Sequence, residues 1–116
     1  MQSFDTEPEQ PPTNDAAQSI SVASITELGS GSCVLAELPD GRELAVFNVS
    51  GEYYAIDNSC PHRGASLADG RVCDYVVECA WHGWEFDLRT GECLTVTERI
   101  KTYEVQVEDG IVRVII

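Results

Sequence analysis

A chain of 116 residues, 43% of them apolar, can build one domain around a modest core and has no length left for a separate catalytic domain. Its 20 acidic against 7 basic residues give a formal charge of -13, which disfavours nucleic acid and anionic membrane as partners and leaves a basic protein surface as the one that charge favours. No apolar run in it is long enough to span a bilayer.

Residues 1–17 hold Asp5, Glu7, Glu9 and Asp15 without a base, together with Pro8, Pro11 and Pro12, and are expected to form a disordered acidic tail. The same stretch lacks the positive and apolar regions of a secretory signal, so a cytoplasmic protein is expected. In that compartment five cysteines, an odd number, fit metal binding or plain burial better than a closed disulfide framework.

From Ile20 onward, short β-branched and aromatic runs broken by turn signals predict an all-β domain over residues 18–116. "SITELGSG" can supply one helical turn, with Ser24 as cap and Glu27 three residues later. "SCVLAEL" and "RELAVFNV" flank "PDG", which predicts a hairpin with Pro39 in the first corner and Gly41 in a left-handed position. "SG" then leads into the strand "EYYAID", while "VVECA" and "EFDLRTGE" read as strands on either side of a loop tip. At the end, Tyr103, Val105 and Val107 alternate with Glu104, Gln106 and Glu108, which predicts one strand with a wet face, turned by "EDG" into a last strand.

Between these strands, residues 60–84, "CPHRGASLADGRVCDYVVECAWHGW", gather both histidines and three of the five cysteines. They include two pairs, Cys60-x-His62 and Cys79-x-x-His82, with sixteen residues between His62 and Cys79. Two loop tips facing each other would bring two thiolates and two imidazoles together, the ligand set of one metal centre. Structural zinc fingers commonly group cysteine with cysteine and histidine with histidine, whereas here each loop supplies one of each, which suits a centre with two distinct metals. A structural zinc module remains an alternative at this point.

This pattern resembles that of the Rieske 2Fe-2S proteins, which have Cys-x-His, a spacer of similar length, then Cys-x-x-His. The resemblance runs from about residue 20 to 116. It implies one 2Fe-2S cluster per chain, with Cys60 and Cys79 on one iron and His62 and His82 on the other. Neutral imidazoles in place of two thiolates make an added electron less costly, and such centres span about -150 to +300 mV. The resemblance also implies the Rieske fold, an antiparallel β-sandwich base carrying a smaller cluster-binding subdomain at about 58–96. Gly64 and Gly83 are expected where the loops bend and present backbone N–H groups to sulfide. Metal binding is expected to help fold the smaller part, whose loops show little apolar surface.

Within the family, "HGWEFDLRTG" is similar to Rieske ferredoxins and to the small subunits of nitrite reductases. Rieske proteins of cytochrome bc complexes carry a disulfide and a serine and tyrosine that donate to the cluster. The corresponding positions here are Ala65 and Trp81 for the disulfide, and Trp84 and Phe86 for the donors. Lacking those donors, a low potential for a Rieske centre is expected. Ala80 stands where the family usually has proline after the second cysteine, and "CLTVTERI" lacks the proline of a third, covering loop. Cys33, Cys73 and Cys93 lie outside the pattern and are expected to be small buried hydrophobes. Trp81 and Trp84 are expected to cover the cluster with a partly exposed edge or to form an apolar docking patch.

With no third histidine for a mononuclear iron site and no nucleophile and base pair, the chain is expected to be an electron carrier and not an enzyme. The resemblance implies a ferredoxin, monomeric when free, that moves single electrons from a flavin-dependent reductase to a terminal oxygenase. The second reading is the small subunit of an NAD(P)H-dependent nitrite reductase, with that enzyme's large subunit as partner.

Overall fold

The computed structural model describes residues 18–61, 64–81 and 83–116. The expected tail at 1–17 therefore lies outside the described residues. Among the described residues ten strands follow in chain order: β1 (Ser19–Ser24), β2 (Cys33–Glu37), β3 (Glu43–Val49), β4 (Glu52–Asp57), β5 (Arg71–Cys73), β6 (Val76–Glu78), β7 (Glu85–Asp87), β8 (Thr102–Tyr103), β9 (Val105–Glu108) and β10 (Ile111–Ile115). A single 3-10 turn at Leu67–Asp69 precedes β5. Among the described residues no helix is long and apolar enough to cross a membrane.

The strands form three antiparallel sheets, ordered β8-β4-β3-β2, β9-β10-β1 and β5-β6-β7. The all-β expectation holds, and the turn chemistry accounts for much of the register. Gly41 N–H donates to the Leu38 carbonyl at 2.9 Å around Pro39 and Asp40, and this pins β2 to β3 from Cys33↔Phe47 to Glu37↔Glu43. Ser50 and Gly51 both have positive φ, 53° and 90°, as a two-residue hairpin loop of the favoured twist requires. Asp109 and Gly110 repeat this between β9 and β10, at 52° and 76°. The Ser24 cap also forms: Ser24 N–H donates to Glu27 Oε1 and Glu27 N–H to Ser24 Oγ, enclosing one turn that Leu28 N–H closes onto the Ser24 carbonyl.

Strand β3 is the middle layer. Its residues Leu44 to Asn48 are all buried, so both faces are dry. Ala45 and Phe47, with Ile56 of β4, face a core that also holds Leu67, Val77, Phe86 and Leu88. Leu44 and Val46, with Ala55, face a second core containing Leu28, Val112 and Val114. Segment 58–96 thus contributes four large apolar side chains to the first core, three of them from the strands and turn beside the second loop.

The predicted strand over 103–108 is also corrected. It splits at Glu104: Thr102 and Tyr103 pair with Ile56 and Ala55, whereas Val105–Glu108 pairs with β10 in another sheet. Alternation persists across the break because the backbone stays extended, so periodicity alone does not reveal the change of sheet.

Candidate metal centre

Cys60 and Cys79 sit in two loops of the same build. Cys60 N–H donates to the Ala65 carbonyl at 2.9 Å, and Gly64 N–H donates to the Cys60 carbonyl at 2.7 Å. In the second loop Cys79 N–H donates to the Trp84 carbonyl at 2.7 Å, and Gly83 N–H to the Cys79 carbonyl at 2.9 Å. The offsets are identical, and the glycines have nearly equal φ, 73° and 72°, a left-handed conformation that a Cβ would strain. The loops bend at Gly64 and Gly83 as expected, and these two N–H groups are themselves taken up by the cysteine carbonyls.

What supports the two loops differs. The second sits at the tip of a hairpin, where Glu78 pairs with Glu85 and Val77 with Phe86. The first leaves β4, and among the described residues its base has an isolated bridge between Ser59 and Ser66 in place of a ladder. Asn58, two residues before Cys60, makes up the difference. It is 3% exposed; its Nδ2 donates to Ser66 Oγ at 2.8 Å and its Oδ1 accepts the Ala68 N–H at 2.8 Å. Sequence reasoning missed this residue, although an amide beside the first ligand pair in "DNSCPH" was the available signal.

Cys60 and Cys79 are 0% and 1% exposed and belong to one core with Leu67, Val77 and Phe86. Both are thiols and not disulfide halves. His62, Arg63 and His82 lie outside the described residues. Half of the expected ligand set is therefore not placed, and among the described residues no group of three or more metal-binding side chains comes together. The fit to a cluster rests on the donor set: two buried soft donors, one in each of two matching loops, each loop also containing a histidine in its sequence.

The remaining cysteines divide. Cys33 and Cys93 are half-buried and pack on the same core, and burial pushes the Cys33 thiol up to about 11. Cys73 is exposed on the short β5, so burial was wrongly expected for it. The tryptophans divide as well. Trp84 is half-buried, its ring centroid 6.5 Å from that of Phe86, while Trp81 at the loop apex is 65% exposed.

Carboxylates collar both loops. Asp69 and Glu78 share a depression with Cys79 and Gly83, and Glu37, Glu43 and Asp57 share another with Ser59 and Gly64. Arg42 extends the second group: its Nη1 donates to the Tyr103 hydroxyl, which donates to Asp57 Oδ1 at 2.7 Å. Burial, helped by that carboxylate, pushes the Tyr103 phenol up to about 12. Such a collar attracts a cationic surface and, by its negative field, resists added electrons.

Comparison with known proteins agrees with this arrangement. Residues 18–105 match the Rieske [2Fe-2S] domain family. The chain is 37% identical over 101 residues to the ferredoxin component of the p-cumate 2,3-dioxygenase system of Pseudomonas putida, covering 84% of this chain and 86% of that protein. It superposes with a TM-score of 0.79 and 29% identity on a chain in a complex of reduced oxygenase and oxidized ferredoxin of carbazole 1,9a-dioxygenase, covering 84% and 92% of the two chains. It superposes with a TM-score of 0.80 and 26% identity on a Mycobacterium tuberculosis protein described as an NADH-dependent nitrite reductase small subunit, covering 87% and 96%.

Proposed function

The chain belongs to the Rieske 2Fe-2S family, and on that premise we propose that Cys60, His62, Cys79 and His82 hold its cluster and that it passes single electrons to a terminal oxygenase. It is an electron-transfer component of an oxidoreductase system and not itself an enzyme. The bound cluster supplies a one-electron couple. The protein's part is to hold it in two matching loops, keep the Cys60 and Cys79 side of it dry within the first core, and present the loop apices to a partner. The observation that carries the assignment is the pair of buried thiols at equivalent positions of those loops.

In this reading Cys60 and Cys79 would hold one iron through Sγ, and His62 and His82 would hold the other through ring nitrogens. Exposed Trp81 and the acidic collar would then face the partner that exchanges electrons with the cluster. A flavin-dependent reductase is the expected donor. The likeness to a ferredoxin in complex with its oxygenase supports the terminal oxygenase as acceptor. A structural zinc module does not fit a chain that belongs to this family.

The nitrite reductase small subunit remains the second reading because of the superposition just described. The 37% identity to a dioxygenase ferredoxin over most of both chains favours the first. Two measurements test the proposal. Reduced protein should give the electron paramagnetic resonance spectrum of a Rieske centre with two irons per chain, and Cys60→Ser and His82→Ala should each abolish it. Reduced protein should then transfer its electron to a purified ring-hydroxylating oxygenase; transfer only to a nitrite reductase large subunit would establish the second reading instead.

A further inference from the structure

We propose that Asn58 is a positioning residue of the centre, a buried clamp that does for the Cys60 loop what a β-hairpin does for the Cys79 loop. The two loops close with the same pair of backbone bonds, yet only the second stands on a regular antiparallel ladder. A loop with matching closure and a weaker base needs another constraint to hold its cysteine equally well.

Asn58 makes four bonds at that base, one of them part of the Ser59–Ser66 bridge and two of them added across it by the carboxamide. Its main-chain N–H donates to the Glu43 carbonyl at 2.9 Å, and its carbonyl accepts the Leu67 N–H at 2.7 Å. Its carboxamide accepts from Ala68 N–H and donates to Ser66 Oγ, both at 2.8 Å. A longer contact from Nδ2 reaches Glu43 Oε1 at 3.5 Å. The entry to the loop at residue 58 and its exit at 66–68 are thereby tied to each other and to the start of β3. The carboxamide ties entry to exit from both of its ends: its Oδ1 accepts from a backbone N–H while its Nδ2 donates to a hydroxyl, and both partners lie on the exit side. Buried at 3% exposure, these bonds are shielded from competing water.

The inference rests on Cys60 being a ligand, as proposed above, and the test separates the two. Full-length holoprotein is exposed to an iron chelator, and loss of visible absorption is timed for wild type, Asn58→Ala, Ser66→Ala and Val112→Ala. The last variant trims the core on the far side of β3 and controls for a general loss of stability. Rates are compared at equal distances below each variant's unfolding temperature. Asn58→Ala should release iron about 10-fold faster than the control, the lower end for outer-shell changes at metal sites. Ser66→Ala, which removes one bond only, should fall between, and the reduced Asn58→Ala protein should show a broadened paramagnetic resonance spectrum. Equal release by Asn58→Ala and Val112→Ala, with an unchanged spectrum, overturns the clamp; should Asn58→Ala fail to fold, release by Ser66→Ala no faster than by Val112→Ala overturns it. Wild type without iron would overturn the ligand assignment itself.

Discussion

Trp81 separates docking from redox tuning. At 65% exposed it adds apolar area at the loop apex, one residue before His82 in the chain, and it is not one of the buried residues around Cys60 and Cys79. Trp81→Ala should therefore slow electron delivery to the acceptor by about 10-fold, the effect of losing a modest interface anchor, and leave the potential unchanged. Stopped-flow transfer rates and voltammetry of the same protein check the two halves. Voltammetry should also place the wild-type potential near the low end of the Rieske range, about -150 mV, since Trp84 and Phe86 occupy the positions of hydroxyl donors. A clearly positive value would sink that expectation. Tyr103 governs a different observable. Its folded pKa, raised to about 12 from an ordinary 10.0, favours the neutral phenol in the native state. The stabilisation is therefore full below about pH 10 and disappears as pH rises through about 12. Tyr103→Phe should flatten that alkaline loss in chemical denaturation curves.

At the level of elements, the β5-β6-β7 sheet supports the Cys79 loop and shares the first core with the central sheet. Val77, Phe86 and Leu88 are almost fully buried against Ala45, Phe47 and Ile56 of the central sheet. Truncating the largest of them, Phe86→Ala, should cost about 3–5 kcal/mol in urea or thermal unfolding, as cavity-forming changes of this kind do. The same packing limits how far cluster loss can spread. In His82→Ala, amide exchange should quicken in the two loops, while Val77 and Phe86 of the paired β6 and β7 stay protected. Loss of protection throughout residues 71–88 would show that the metal, and not the apolar core, holds this sheet.

Across the whole molecule, 7 bases offset only part of 20 acids and leave a net charge of -13. Arg42, Arg89, Arg99 and Arg113 each pair with a carboxylate of the same chain, on Asp40, Asp87, Glu92 and Glu108. The acidic excess includes the carboxylates beside both loops, so on the proposed assignment the long-range field would be strong where a partner docks. Steering by that field should make the bimolecular transfer rate fall steeply as salt is raised, because exposed charges are screened over about 8 Å at physiological ionic strength. A rate that stays flat between low and high salt would refute steering. The two cores on opposite faces of β3 share one strand, so Val112→Ala and Phe86→Ala should both lower a single cooperative transition and not melt separate parts.

The amino-acid sequence by itself determined the local features: the strands, the Pro39, Ser50 and Asp109 turns, the Ser24 cap, and a pair of Cys/His motifs specific enough to name a family. Each depends on residues close together in the chain, where backbone preference and side-chain type act directly. Tertiary structure decided the rest. It split the 103–108 run between two sheets, left Cys73 in solvent and turned the loop glycines' N–H groups onto cysteine carbonyls. It also made Asn58 a clamp, because Ser66 and Ala68 return beside it only once the first loop has closed. Partners that meet across a fold leave no period in the sequence, and a polar residue shows its role only when burial removes the water that would otherwise satisfy it.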